Sequence, residues 1–184
     1  HVAWGGNVVY NFTYAYVFMA LKSMFDPDVP NNDGCTQPIQ VAAPEGSVVN
    51  CRFPVAVAAR MQIGHFLTEI VYRAMAEALP DRVIAGSGGT PATMNVFYGT
   101  RESGEPFHTV VIRGGGMGAS RDGDGWYTYI FPANGANTPV EILESDTPLL
   151  VERRELLPDS GGPGRTRGGL GRRVVIRVPD GADA

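Results

Sequence analysis

From Asn11 to Phe25 nearly every position is apolar or aromatic, and Phe12, Ala15, Tyr16, Phe18, Met19, Ala20 and Leu21 leave no polar face at helical spacing. That pattern predicts a helix buried on most sides or held in an interface. It must stop before Pro27, because proline has no N–H and its ring clashes with the preceding turn. Breakers fill residues 26 to 34, with a tight turn expected at Asp33-Gly34 and short extended stretches at 39–43 and 47–53. A second helix is predicted from Val55 to Leu79. Ile63, Phe66, Leu67, Ile70, Val71, Ala74 and Ala78 recur at its spacing, while Gln62, Glu69, Arg73 and Glu77 fall elsewhere. Pro54 suits the first helical position and Pro80 stops the run.

Downstream the period changes to two. Met94 to Tyr98, Phe107 to Arg113, Leu149 to Leu156 and Arg172 to Val178 read as strands, mainly antiparallel, joined by Gly-rich loops. The fold class expected is therefore α+β, with two buried or interface helices in the N-terminal half and strands after them. No repeat, low-complexity linker or charge block marks a second domain, so residues 1–184 are expected to form one domain-sized piece.

Composition narrows the function classes. A net charge of −4 with both signs interspersed disfavours bulk nucleic-acid binding. The longest apolar run, Tyr14 to Leu21, is far shorter than the roughly 20 residues of a membrane span, and no membrane partner is expected. Cys35 and Cys51 are too few for a disulfide framework, which points to reduced thiols and a cytoplasmic location. The chain opens on His1 and closes on a Pro179 to Ala184 tail, so a longer gene product is expected.

Several motifs invite chemistry. The loop Gly114 to Ala119 follows a strand and fits G-x-G-x-x-A, but Asp122-Gly123-Asp124-Gly125 comes next, where a phosphate-binding helix would have to begin. A turn is favoured, as it is for Gly86-Ser87-Gly88-Gly89, which precedes Thr90-Pro91. No glycine precedes Lys-Ser or Lys-Thr, so no phosphate loop of that kind is assigned. His1, His65 and His108 lack metal-ligand spacing, and His65 beside Phe66 reads as a satisfied core or interface histidine. Asp122 and Asp124 miss a calcium-loop pattern, since Trp126 stands where an oxygen ligand is needed. Asp159-Ser160-Gly161-Gly162-Pro163 resembles the nucleophile segment of chymotrypsin-like proteases, yet no histidine lies in the matching context, and a serine hydrolase is disfavoured.

Read further, Asp159 to Gly171 has the form D-S-G-G-x-G-x-x-R-G-G-x-G. This is similar to a signature of the hydantoinase B/5-oxoprolinase family. Asn32-Asp33-Gly34, Pro38-Ile39, Pro44-Glu45-Gly46-Ser47, Asn50, Pro54 and Arg60 follow the order of that family's middle region. So do Phe97-x-Gly99, Gly115-Gly116-x-Gly118 and Asn137-x-Pro139-Val140-Glu141-x-Leu143-Glu144. The resemblance spans roughly Asn11 to Val175, the central to C-terminal part of a B-type subunit. Two positions depart from it: Thr166 stands where an aromatic residue is often found, and Arg154 where tyrosine is common.

The resemblance implies a role in an ATP-dependent hydrolase of cyclic amides such as hydantoins and 5-oxoproline. A ketone carboxylase of the same family, or a non-catalytic assembly module, is the alternative. It implies as partners an A-type, ATP-binding subunit that phosphorylates a small-molecule substrate, and the remainder of the B-type subunit. ATP and a divalent metal are implied for the complex and none for this chain, because the family's metal-binding His and Asp residues lie N-terminal to the matched region. Catalytic residues are left unassigned. Candidate substrate or anion contacts are Asp33, Arg60, Asp159, Arg165 and Arg167, since a Gly-rich loop can present backbone N–H groups and guanidinium groups grip oxyanions at two points. The rival reading is a tight connection braced by an Asp159–Arg167 pair.

Overall fold

In the computed structural model, residues 5–88, 94–135 and 137–179 are described. His1, the Gly89-Thr90-Pro91 part of the second glycine loop and the tail beyond Pro179 lie outside the described residues. The chain divides into two compact units, one up to Gly86 with Ser120–Asp122, the other Ser87–Ala119 with Gly123 onward.

The first unit is helical. Helix α1 spans Tyr10–Phe25, as the apolar run predicts. Its C-terminus is closed by the Asp26 N–H on the Lys22 carbonyl (3.0 Å) and by Arg82 Nη1 on the Met24 carbonyl (3.0 Å), which satisfy acceptors the helix leaves open. Residues 5–8 run beside 48–59: Val8 N–H donates to Val48 O (2.8 Å), Cys51 N–H to Val8 O (2.9 Å) and Asn7 Nδ2 to Ala56 O (3.0 Å). Thr13 Oγ1 donates to Val49 O at 2.6 Å and pins α1 to the same segment.

The burial of α1 is partial, and two expectations change here. Only Thr13, Ala20 and Met24 of α1 are fully buried, because one helical neighbour covers one stripe and the remaining aromatics are half-covered. Asp33-Gly34 forms not a tight turn but a one-turn helix, α2 (Asp33–Thr36), whose N-cap Asn32 accepts from the Cys35 N–H at 3.3 Å. The stretches 39–43 and 47–53 form no strand; a single bridge, Ser47↔Asn50, closes a turn at Val48 and Val49, and Asn50 Nδ2 donates to Ala43 O at 2.8 Å.

The long helix is also shorter than predicted. Helix α3 runs Arg60–Met75, and Pro54 lies in the turns before it. The Ala59 N–H goes to Gly5 O (3.0 Å), so backbone pairing with the N-terminal segment holds the chain off the helix until Arg60. Beyond Met75 the bonding becomes mixed, with both the Ala78 N–H (i→i−3, 3.1 Å) and the Leu79 N–H (i→i−4, 2.8 Å) on Met75 O. Helices α1 and α3 cross at Gly64, where a Cβ would lie 2.5 Å from Phe12 and 3.0 Å from Tyr16. The Phe12 and Tyr16 rings pair at 4.8 Å, and the Arg60 guanidinium sits 5.6 Å from the Phe12 ring centre. His65 is buried beside Tyr16, but neither ring nitrogen has a partner, so the expectation of a satisfied core histidine holds for burial and not for hydrogen bonding.

The second unit carries the four predicted strands with ends shifted by a residue or two. Strands β1 (Met94–Thr100) and β2 (Pro106–Ile112) form an antiparallel hairpin, in register from Met94↔Ile112 to Thr100↔Pro106. Its turn closes through Arg101 N–H on Glu105 O (2.8 Å), with Gly104 at φ +84. Strands β3 (Leu150–Leu156) and β4 (Arg172–Arg177) pair antiparallel, with a bulge between Val151 and Arg153. A further helix, α4 (Val140–Asp146), stands before β3, and Glu144 accepts from the Val151 N–H at 2.8 Å. Seven residues are two turns, too short to register as helical periodicity. The core joins Phe107 and Val111 of β2 to Leu143 and Leu149, with Phe97, Val151 and Ile176 against them.

Two outcomes test this account. Gly64→Ala should destabilise the first unit by about 1–3 kcal/mol despite the better helix propensity of alanine, because the new methyl meets two aromatic rings; a raised Tm would refute the close crossing. Burial lowers the His65 pKa below its ordinary 6.5. The unfolded chain then takes up a proton that the fold refuses, so stability is full above that value and falls as pH drops through it. His65→Phe should flatten the Tm-against-pH curve below about pH 6.5.

Candidate functional site

The long glycine loop folds against two other glycine segments of its own unit. Gly125 N–H donates to Arg167 O (2.8 Å), Gly169 N–H to Met117 O (2.8 Å) and Met117 N–H to Trp126 O (2.9 Å). The three strings of backbone approach until no side chain fits between them. A Cβ on Gly125 would lie 1.8 Å from Met117 O, one on Gly116 1.9 Å from Gly169 O, and one on Gly169 2.2 Å from Trp126 O. Within the loop a Cβ on Gly161 would lie 2.2 Å from Gly168 O. These glycines are required by contact, not by turn conformation.

Side chains complete the closure. Asp124 Oδ1 accepts from the Arg167 N–H at 2.7 Å, a charge-assisted bond that anchors the middle of the loop. Ser160 Oγ donates to Leu157 O (2.7 Å) and accepts from the Gly171 N–H (2.7 Å), so its hydroxyl proton is committed to a carbonyl and the residue staples both ends of the loop. Asp159 has φ +55, and its carboxylate stands 3.7 Å from the Arg167 guanidinium. With side chains 91% and 51% exposed, that pair contributes about 0–1 kcal/mol at most, less than the backbone contacts beneath it.

Of the candidate residues, the structure brings Asp159 and Arg167 together and leaves Arg165 exposed on the same loop. The N–H groups of Arg167, Gly168, Gly169 and Gly171 are all spent on protein acceptors, so this stretch presents side chains rather than a backbone nest. The loop at 114–118 behaves alike: Gly114 N–H donates to Asn137 Oδ1 and Gly118 N–H to Ser87 Oγ, and no helix follows it. Asp33 and Arg60 belong to the first unit. Asp33 opens α2, beside a groove of about 730 Å³ lined in part by Phe25, Val29, Asn32, Gly34 and Ile39. Arg60 opens α3 with its guanidinium over Phe12. Sequence reading weighed Asp124 only as a calcium ligand and missed its hold on the loop; 43 positions separate it from Arg167, and only its place in the Asp-Gly-Asp-Gly turn hints at a structural role.

The sequence model of Hydantoinase B/oxoprolinase matches residues 1–183. The chain belongs to the hydantoinase B/oxoprolinase family. It is 32% identical over 174 residues to a putative D-/L-hydantoinase B-type subunit from Pseudomonas sp., covering 90% of this chain and 29% of that one. The crystal structure of the ATP-dependent caprolactamase from Pseudomonas jessenii superposes with a TM-score of 0.80 at 24% identity, over 97% of this chain and 32% of that one. A nucleotide-free acetone carboxylase superposes with a TM-score of 0.75 at 21% identity, over 95% and 24%. The hydantoinase B fold is thus shared across these proteins, and the chain spans about a third or less of each.

Among the described residues no three His, Cys, Asp or Glu side chains come together in a group that could hold a metal ion. Nor is any described helix long and apolar enough to cross a membrane. The glycine junction yields a sharp contrast: Gly116→Ala or Gly169→Ala should cost more than about 3 kcal/mol, since backbone must move. Gly162→Ala, whose Cβ would meet nothing within 4 Å, should be neutral within about 1 kcal/mol in chemical denaturation.

Proposed function

We propose that this chain is the central to C-terminal part of the B-type subunit of an ATP-dependent cyclic-amide hydrolase, acting on an intermediate activated by an A-type partner subunit. The observation that carries the reading is the match of residues 1–183 to hydantoinase B, together with the likeness to a putative hydantoinase of Pseudomonas sp. in its B-type subunit. Phosphorylation by the partner would turn the oxygen of an unreactive amide into a leaving group. This chain's part would be to hold the activated molecule's oxyanion with Arg165 and Arg167, carried on a loop whose backbone is fixed from below. Asp159 would orient Arg167, and Asp33 and Arg60 are the candidate contacts in the first unit.

An uncovered apolar face supports a place inside a larger assembly. Val96, Tyr98, Val110 and Ile112 share one side of the β1–β2 hairpin and are exposed, while Phe97, Phe107 and Val111 on the other side pack into the core. A ketone carboxylase built on the same fold is the second reading, favoured by the likeness to acetone carboxylase in fold alone.

The test is reconstitution with the A-type subunit and the rest of the B-type subunit, offering hydantoin, 5-oxoproline and caprolactam with ATP. Ring opening coupled to ATP hydrolysis is expected. Transfer of labelled bicarbonate to acetone instead would assign the carboxylase reading, and assembly without turnover would leave a docking role. Arg167→Lys keeps the backbone bonds of residue 167 and the charge but loses the planar fork. Turnover should fall at least about tenfold with Tm nearly unchanged. A fall in Tm that Asp159→Asn reproduces would reduce Arg167 to a brace.

A further inference from the structure

Three arginines of the second unit converge on one cavity without an acid. Arg113 follows β2, Arg154 lies on β3 and Arg172 opens β4. All three line a cavity of about 20 Å³, room for one or two waters, whose other walls include Val111, Leu143, Val174 and Ile176. Strand alternation separates them from the local carboxylates. Arg154 and Arg172 share one face of the β3–β4 ribbon with Val174 and Ile176, while Arg153, Glu155 and Arg173 share the other. Glu155 pairs with Arg173 at 3.2 Å and Glu152 with Arg177 at 2.7 Å, so the ribbon's acids are taken by other arginines. Among the described residues no ion pair reaches Arg113, Arg154 or Arg172.

Their donors meet neutral oxygens only in part. Arg172 Nη1 donates to Asn137 Oδ1 (2.6 Å), Arg154 Nη1 to Thr138 O (2.9 Å) and Arg113 to Asn95 Oδ1. Arg113 Nε and Arg172 Nη2 are buried with no partner. Such groups are costly to leave unmet, and three like charges beside apolar walls add repulsion. Burial, with Arg154 and Arg113 nearby, pushes the Arg172 pKa down to about 10, still well above neutral pH, so the charge persists. A water in the cavity would leave the charge uncompensated.

We propose that Arg113, Arg154 and Arg172 form a binding site for a small monovalent anion of about the size of chloride. With room for one or two waters, the cavity admits a monatomic anion, which would balance guanidinium charge that no acid on this face meets. Arg154 supplies the third charge of the site from the more exposed side. The site is independent of the proposed role of the glycine loop.

Crystals of the protein at its natural length, soaked in bromide, should show anomalous density in this cavity, and crystals of Arg154→Gln should not. In solution, replacing gluconate by chloride at constant ionic strength should raise Tm by about 5 °C in the wild type and by less than about 1 °C in Arg154→Gln. Arg154→Gln is the variant of choice because Arg154 is exposed and glutamine can still donate to Thr138 O. An empty cavity in bromide, or a chloride response that the substitution leaves unchanged, overturns the proposal. So does a carboxylate from another segment or protein chain found in the cavity.

Discussion

The second unit depends on the approach of three glycine backbones to one another. Strand β2 runs out into Gly114, the β3–β4 connection returns through Gly168 and Gly169, and the 123–126 turn lies against both. Since the Gly169 N–H bonds the Met117 carbonyl, and the Met117 N–H the Trp126 carbonyl, the approach to β4 is tied to the segment that follows β2. Two small sheets that share no strand pair are held in one unit by this junction and by the Phe107, Val111, Leu143 and Leu149 cluster. Glycine serves here because carbonyl oxygens occupy the places where Cβ atoms would be. Conformational freedom, the usual reason for a glycine-rich loop, is secondary at Gly116, Gly125 and Gly169, none of which has positive φ.

That distinction explains what could be read from the chain beforehand. The strands were legible because half-buried pleats impose a period of two, and α1 because an unbroken apolar run has few other uses. The start of α3 was not, because it is set by Gly5, more than fifty positions away, accepting the Ala59 N–H. Helices α2 and α4 were too short for periodicity to register. The glycine signature could be recognised as a family pattern and its spacing quoted, yet the reason for each glycine lies in a carbonyl from a distant segment. Asp124 was hidden in the same way: nothing local distinguishes a carboxylate that receives a backbone N–H from one that faces solvent.

A loop with its donors spent has consequences for chemistry. Phosphate-binding glycine loops leave N–H groups pointing outward, and their affinity comes from that unspent set. The N–H groups of residues 167, 168, 169 and 171 are turned inward and consumed, so what this stretch offers outward is side chains on a braced backbone. Rigidity of this origin is cheap in entropy, because the backbone is ordered by its own packing before any ligand arrives. Guanidinium groups mounted there lose less freedom on gripping an oxyanion than the same groups on a mobile turn would.

Two ways of placing arginine therefore meet within one unit, and their surroundings separate the roles they can take. Arg165 and Arg167 are exposed, with Asp159 beside Arg167, and exposed charges exchange partners with solvent at little cost. Such groups suit a transient ligand that must arrive and leave. Arg113 and Arg172 are set between strands and lined by valine and leucine side chains, with donors that water reaches poorly. An unmatched charge there destabilises the native state continuously, so its natural counterpart is a resident ion rather than a substrate. The alternation of β3 and β4 enforces the separation: a one-residue slip of either strand against the other would bring Arg172 and Glu155 to the same face. The bulge between Val151 and Arg153 sets the register from which that segregation follows.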